Sequence, residues 1–287
     1  MITDEKRWRI IQNALHEKQL EKAFALLRGE GIEPLLIKGW AAVRYYPQDE
    51  RRYLGDIDLC IAPEQFEKAL KLFRKDQSGI PADIHKGLRH YDTLPFEDLI
   101  GRSKLVKLGE SDIRVPSDED HIRVLAVHWL NDGGAYKEKL KDIHFTLESR
   151  AEDFDWKRCL DTVDERRRRW IVCALLLSHK YLGTGIENTP LDKEKELPRW
   201  LVRAVEREWA NPVRLRPVLT IFQSPKNLWQ QFRKRIPPNP VQATIELGGD
   251  FDRYPRAMYQ TADVFYRIYT TFKRKRTVSL TRKLGEE

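Results

Sequence analysis

Five residues, Gly55 to Leu59, constrain the fold of this chain more than any other stretch. They read Gly-Asp-Ile-Asp-Leu, so that Asp56 and Asp58 alternate with Ile57 and Leu59. In a β-strand, side chains two residues apart point to the same face of the sheet. The alternation therefore predicts a strand that buries its apolar side chains in a core and points both carboxylates into one space.

Two carboxylates that share one space repel each other, and the repulsion grows when they are removed from water. A divalent cation relieves it, and Mg²⁺ prefers oxygen ligands, often one or two carboxylates together with the phosphates of a substrate. The alternative interpretation is an exposed edge strand whose aspartates face only water. The residues that surround the motif favour the metal site.

Other polar residues stand next to predicted strands. Lys38-Gly39 follows the apolar run Pro34–Ile37, a predicted buried strand, and precedes a short predicted helix that stops at Pro47. A glycine there lets a phosphate approach the backbone, and the lysine adds a positive charge. Asp83 and His85 lie two residues apart on a third predicted strand, so they face the same way.

The order of these motifs resembles that of a known family. The motifs are Leu36-Ile37-Lys38-Gly39, Tyr46-Pro47, Arg52, Gly55-Asp56-Ile57-Asp58-Leu59 and Asp83-Ile84-His85. Their arrangement is similar to a nucleotidyltransferase-like family of unassigned substrate, within the polymerase-β-type nucleotidyltransferase superfamily. The resemblance covers roughly residues 30–150. The chain departs from the superfamily at Trp40, where Ser or Gly is usual, and in the longer spacing between Gly39 and the aspartates.

The resemblance implies transfer of a nucleoside monophosphate from an NTP to an acceptor hydroxyl, with release of pyrophosphate. It implies that the catalytic residues Asp56, Asp58 and Asp83 hold Mg²⁺ or Mn²⁺. It also assigns nucleotide binding to Lys38, Gly39, Arg52 and His85. For His85 three roles stay open: orienting Asp83, contacting the acceptor, or a purely structural role.

The order of predicted elements indicates an α/β (α+β) fold in two domains. A minimal nucleotidyltransferase domain with a small mixed sheet is predicted over residues 1–116, beginning with an amphipathic helix at 5–28 and ending with a hairpin around 109–112. Ser117 resembles a helix N-cap. An all-α, basic acceptor-binding domain is predicted over 117–287, with helices at 136–149, 155–164, 166–182, 197–210, 226–235 and 255–276.

Charge is unevenly divided along the chain, whose net charge is +8. Residues 166–287 contain 25 Lys and Arg against 12 Asp and Glu, and residues 1–165 contain 27 against 32. A basic second half, with clusters at 233–235 and 273–276, indicates a polyanionic partner. The acceptor is therefore expected to be tRNA or another RNA, or else a small molecule or a protein side chain. In the competing hypothesis the protein is catalytically silent and binds RNA or a partner protein through this half.

The chain carries no predicted membrane segment, because its longest apolar run, Ile171–Leu177, is too short to cross a bilayer. Its three cysteines, Cys60, Cys159 and Cys173, lack metal-ligand spacing and are predicted to be buried, reduced thiols. With no signal peptide at the start, these features predict a cytoplasmic protein.

Overall fold

The computed structural model describes residues 4–75, 79–88, 91–211, 229, 231, 232 and 234–284, with the backbone alone for 271–284. The chain forms two compact units. The first comprises residues 1–128 and 138–194, and the second comprises 129–137 and 195–287. These units divide the chain at other positions than the predicted functional boundary after residue 116. The assignment of catalysis to 1–116 and acceptor binding to 117–287 stays a prediction.

The first unit is built on a three-stranded mixed sheet with strand order β1-β2-β3. The central strand pairs antiparallel with β1 and parallel with β3. A separate hairpin is formed by β4 and β5. In chain order over residues 4–182 the elements are α1 (Asp4–Gly29), β1 (Leu35–Leu36), α2 (Trp40–Val43), β2 (Ile57–Ile61), α3 (Phe66–Lys75), β3 (Ala82–Lys86), α4 (Phe96–Arg102), β4 (Lys104–Leu108), β5 (Ser111–Val115), α5 (Asp118–Asn131), α6 (Lys137–Glu148), α7 (Trp156–Leu160) and α8 (Glu165–Leu182); the end of α5 and the first residue of α6 belong to the second unit.

The sheet separates two apolar clusters, as the alternation in β2 predicts. Ile57 and Leu59 pack in one cluster with side chains of α1, and Cys60 packs in the other with Leu99 of α4 and Val124 of α5. Asp58 lies two residues before Cys60, so it shares the face of the second cluster. The polar site is therefore built on a sheet face that is otherwise part of the core.

The predicted fold class is confirmed: a small mixed sheet is followed by a helical second half. The predicted hairpin and the Ser117 cap are also present, and the Asp120 N–H donates to Ser117 Oγ at 3.4 Å. Helix α4 was not predicted from the sequence. The helix predicted at 226–235 and the basic cluster at 233–235 lie largely outside the described residues, as do the side chains of 273–276.

The first half of α1 corrects one expectation. The amphipathic helix predicted at 5–28 was expected to bury one apolar face along its length, but Trp8, Ile11 and Leu15 on that face are 58%, 51% and 51% exposed. Leu20 and Phe24, later on the same helix, are buried. The 26 residues of α1 span about 39 Å, whereas strands of five residues extend only about 17 Å. The sheet is too short to cover the whole helix.

The second unit contains α9 (Arg199–Ala210), α10 (Pro240–Glu246) and α11 (Arg256–Leu284). Asn239 caps α10, since its Oδ1 accepts hydrogen bonds from the backbone N–H groups of Val241 and Gln242. Its Nδ2 donates to Gly133 O at 3.1 Å, which joins residues 129–137 to the rest of this unit. Helix α10 was not predicted from the sequence.

All three cysteines are buried thiols, as predicted. Among the helices that the structure describes, none has both the length and the apolar character needed to cross a bilayer.

Candidate metal and nucleotide site

Parallel pairing of β2 and β3 brings two of the predicted carboxylates together. Asp58 lies directly opposite Asp83 in the register, so both side chains emerge on the same face of the sheet. His85, two residues after Asp83, points to that face as well. Ligand atoms of Asp58, Asp83 and His85 all lie within 4.8 Å of one another. The structure thus forms an Asp-Asp-His cluster from two adjacent strands.

Two nitrogen groups lie beside the carboxylate of Asp58. Lys38 Nζ lies 2.7 Å from its Oδ1, and His85 Nε2 lies 3.1 Å from the same oxygen. Burial alone would raise the pKa of Asp58, but the hydrogen bond from His85 and the charge of Lys38 outweigh burial, so the pKa is lowered. Burial likewise acts to lower the pKa of Lys38, and the negative charge of Asp58 raises it above its ordinary value. Asp58 is therefore an anion and Lys38 a cation at neutral pH.

The cluster opens to solvent on the Asp83 side. The side chain of Asp83 is 60% exposed, whereas Asp58 is 15% and His85 only 3% exposed. His85 Nε2 also lies 3.4 Å from Asp83 Oδ2, so the imidazole contacts both carboxylates. Two opposed carboxylates, with an imidazole beside them and one side accessible, fit a divalent cation such as Mg²⁺ or Mn²⁺.

Asp56 lies just before β2 and is exposed. It is not part of the Asp-Asp-His cluster found among the described residues, and its role as a metal ligand stays a prediction. The buried ring of His16 lies against the backbone of Gly55 and Asp56 without a well-aligned hydrogen bond. Burial lowers the pKa of His16, against the opposing effect of those backbone groups. The ring thus supports the turn from which Asp56 projects.

Gly39 adopts a backbone conformation that favours glycine, with φ 63° and ψ −116°. A Cβ at this position would lie 3.7 Å from the carbonyl oxygen of Asp56. Strain, and not lack of space, therefore explains why glycine suits the position. Lys38 reaches Asp58 because the residue before it still pairs with β2: the Ile37 N–H donates to Asp58 O at 3.2 Å.

Comparison with known proteins supports the resemblance. A family model described as uncharacterised nucleotidyltransferase matches residues 2–78. This part of the chain is similar to that family. No curated protein and no solved structure gave a significant match. The matched segment contains Lys38, Gly39, Arg52, Asp56 and Asp58 but ends before β3, so only the tertiary structure connects it with Asp83 and His85.

Arg52 is not brought to the Asp-Asp-His cluster. Its Nε and Nη2 donate to the two carboxylate oxygens of Asp142 on α6, at 2.9 and 2.6 Å. The Tyr46 hydroxyl donates to the same carboxylate at 2.6 Å. The Tyr-Pro and Arg motifs therefore meet at one partly buried carboxylate. That Arg52 contacts nucleotide phosphates stays a prediction.

Tyr91 also contacts the site, and no motif in the sequence indicated it. Lys38 Nζ lies 4.9 Å from the centre of its ring, and the His85 ring contacts it edge-on at 6.0 Å. The next residue, Asp92, accepts from Arg123 Nε at 2.8 Å in a fully buried ion pair. Charged residues among the apolar residues of α5 hinted at such a network, but nothing in the sequence indicated its partner.

Proposed function

We propose that this protein is a divalent-metal-dependent nucleotidyltransferase, which moves a nucleoside monophosphate from an NTP to an acceptor hydroxyl. One observation carries the proposal: Asp58 and Asp83 lie opposite each other in a parallel register, with Lys38 and His85 beside them. Paired carboxylates next to a lysine suit a magnesium-bound triphosphate. The nucleotidyltransferase match over residues 2–78 supports the same reaction class.

In the proposed reaction, an oxygen of the acceptor hydroxyl attacks the α-phosphorus of the NTP. The new bond joins that oxygen to the α-phosphorus, and the bond from the α-phosphorus to the bridging oxygen of the β-phosphate breaks. Pyrophosphate leaves with the electron pair of that bond. The hydroxyl proton passes to a carboxylate or to water. A divalent cation would supply neutralisation of the charge that develops on the phosphoryl oxygens.

The residues take separate roles in this proposal. Asp58 and Asp83 hold the cation, and the exposed Asp56 is proposed as a third carboxylate at the mouth of the site. Asp83 is the more exposed member of the opposed pair, so it is the better placed to take a proton from the acceptor. Lys38 provides the positive charge for the leaving phosphates. His85 positions both carboxylates through its Nε2 contacts.

The test uses the full chain with each labelled NTP, Mg²⁺ or Mn²⁺, and separate RNA, protein and metabolite fractions from whole cells. Release of pyrophosphate and transfer of the label are measured together. Asp58→Asn and Asp83→Asn are expected to lower both by about 100-fold or more, because each removes an anionic metal ligand. Chelation of the metal should abolish both signals.

Asp153→Asn provides the matched control. This aspartate is exposed and lies outside the candidate site, so the variant should match the wild type. Equal turnover by Asp58→Asn and the wild type would contradict the proposed function. Absence of turnover with every NTP and fraction would favour the catalytically silent alternative.

A further inference from the structure

The second unit contains a groove with a strongly basic lining. Its volume is about 940 Å³, and it lies between α9, the segment before α10 and the first turns of α11. Five of its lining residues are cations: Arg199, Arg203, Arg207, Lys234 and Arg256. Among the described residues that line it, the acidic one is Glu208, and that carboxylate is paired with Lys234. The groove therefore has a clear excess of positive charge.

Three of these cations form a row. Arg199, Arg203 and Arg207 follow one another at intervals of four residues on α9, so they share one helix face. Successive members are about 6 Å apart along the helix axis. All three are exposed, and within the described part of the chain their guanidinium groups have no ion pair and no hydrogen bond. A row of like charges without counter-charges is suited to a ligand with repeated negative charges.

Arg256 and one aromatic residue, Trp200, also line the groove. Arg256 lies over the rings of Trp200 and Tyr259, at 4.4 and 4.9 Å, and donates to Asp250 O at 2.9 Å. Its Nη2 donates to the carbonyl oxygen of Tyr254, a residue that is 55% exposed. A basic groove with aromatic residues close to its cations is the usual construction of sites for single-stranded nucleic acid.

We infer that this groove binds the phosphate backbone of single-stranded RNA, and that this RNA is the acceptor of the transferred nucleotide. The second part rests on the proposed function. Arginine suits phosphate because its planar guanidinium can donate two hydrogen bonds to one phosphate group. RNA also carries ribose hydroxyls, which are the acceptor groups that the proposed reaction requires. A flat lipid surface fits the concave lining less well.

Binding is tested with the full chain and a labelled single-stranded RNA of about 20 nucleotides, by fluorescence anisotropy over a range of salt concentrations. The test variant is Arg199→Gln/Arg203→Gln/Arg207→Gln. Its affinity for the RNA should fall by about tenfold or more, and the slope of log affinity against log salt should fall by about 2, because three phosphate contacts are lost. Replacing the same arginines with lysine should restore most of the slope.

The matched control removes three charges from another helix. Lys71, Arg74 and Lys75 lie on α3 in the first unit and are exposed. The variant Lys71→Gln/Arg74→Gln/Lys75→Gln has the same net charge as the groove variant and should bind RNA as the wild type does. Equal losses in the two triple variants would overturn the inference, as would wild-type affinity in the groove variant. Tighter binding to anionic vesicles or to polyglutamate than to RNA would overturn it as well.

Transfer assays separate this inference from the proposed function. Asp58→Asn should bind the labelled RNA normally but fail to label it, whereas the groove variant should bind Mg²⁺-NTP normally and fail to label RNA. If the groove variant loses RNA affinity but labels RNA at the wild-type rate at low RNA concentration, RNA is not the acceptor held by the groove. If Asp58→Asn still labels RNA, the proposed reaction mechanism is contradicted, but the inference that the groove binds RNA is not.

Discussion

The ammonium group of Lys38 lies 2.7 Å from Oδ1 of Asp58, so the lysine that follows β1 is paired with the carboxylate in β2. Both side chains are mostly buried, with exposures of 12% and 15%. A lysine in this position has two effects: it stabilises the carboxylate as an anion, and it repels a metal ion that approaches the same oxygen. We therefore expect Lys38 to favour metal binding at Asp58 only when the metal ion is bound to the phosphates of a nucleotide.

Replacing Lys38 should separate metal binding from nucleotide binding. Lys38→Met removes the charge that competes with the cation, so Mn²⁺ alone should bind at least as tightly as it binds the wild type. Affinity for a non-hydrolysable NTP analogue should fall by about 10- to 100-fold, because one charge-assisted hydrogen bond is lost. Titration calorimetry measures both affinities. Lys86→Met, at the exposed end of β3, is the control, and parallel loss of both affinities in Lys38→Met would contradict the prediction.

His85 should act on the metal site by positioning its carboxylates. Its Nε2 contacts Asp58 and Asp83 at 3.1 and 3.4 Å. We expect His85→Asn to weaken Mn²⁺ binding by about 10- to 100-fold, the usual effect of removing a group that orients metal ligands. Electron paramagnetic resonance of free Mn²⁺ measures the affinity.

Two further measurements show whether His85 is only structural. His144→Asn removes an imidazole that bonds Thr184 Oγ1 and should leave the Mn²⁺ affinity unchanged. Thermal unfolding of His85→Asn reports any general loss of stability. An unchanged Mn²⁺ affinity in a destabilised His85→Asn variant would assign His85 a structural role alone.

Arg52 and Asp142 should behave as a structural ion pair. The guanidinium donates two hydrogen bonds to the carboxylate, which is only 7% exposed. Asp142→Leu should lower the free energy of unfolding by about 3 kcal/mol, because it leaves a mostly buried charge without its partner. The double variant Arg52→Met/Asp142→Leu should cost less than the sum of the single variants. Urea denaturation gives all three values, and strict additivity would show that the pair is not coupled.

His121 should make the stability of the protein depend on pH. Burial, aided by the charge of Arg44, lowers the pKa of His121 to about 3, while Asp118 acts in the opposite direction. A histidine with a lowered folded-state pKa stabilises the fold above about pH 6.5, and this stability is lost as the pH falls towards 3. Between pH 7 and 5 this one group should remove about 2 kcal/mol from the free energy of unfolding.

The variant His121→Gln isolates this contribution. Its stability should change less between pH 7 and 5 than that of the wild type, even if the variant is less stable at pH 7. Urea denaturation at several pH values, followed by circular dichroism, measures the difference. The same pH slope in both proteins would show that His121 does not titrate on unfolding.

Local sequence patterns determined much of the architecture. Alternation of Asp56 and Asp58 with Ile57 and Leu59 predicts a strand with one buried face, and the structure contains that strand with Asp56 at its entrance. The turn at 109–112 predicts the hairpin, and Ser117 predicts the start of α5. These features depend on residues close together in the chain, so composition and spacing suffice to predict them.

The sequence by itself also singled out the residues that carry the candidate chemistry, and the resemblance groups Asp83 with Asp58, but neither gives the side-chain contacts. Only the tertiary structure pairs Asp58 with Asp83, places His85 against both, and directs Arg52 to Asp142, a residue 90 positions away. It also decides that half of α1 stays exposed, because the sheet is shorter than the helix. Strand register and side-chain partners are set by the packing of segments that are distant in the chain. Local periodicity does not predict that packing.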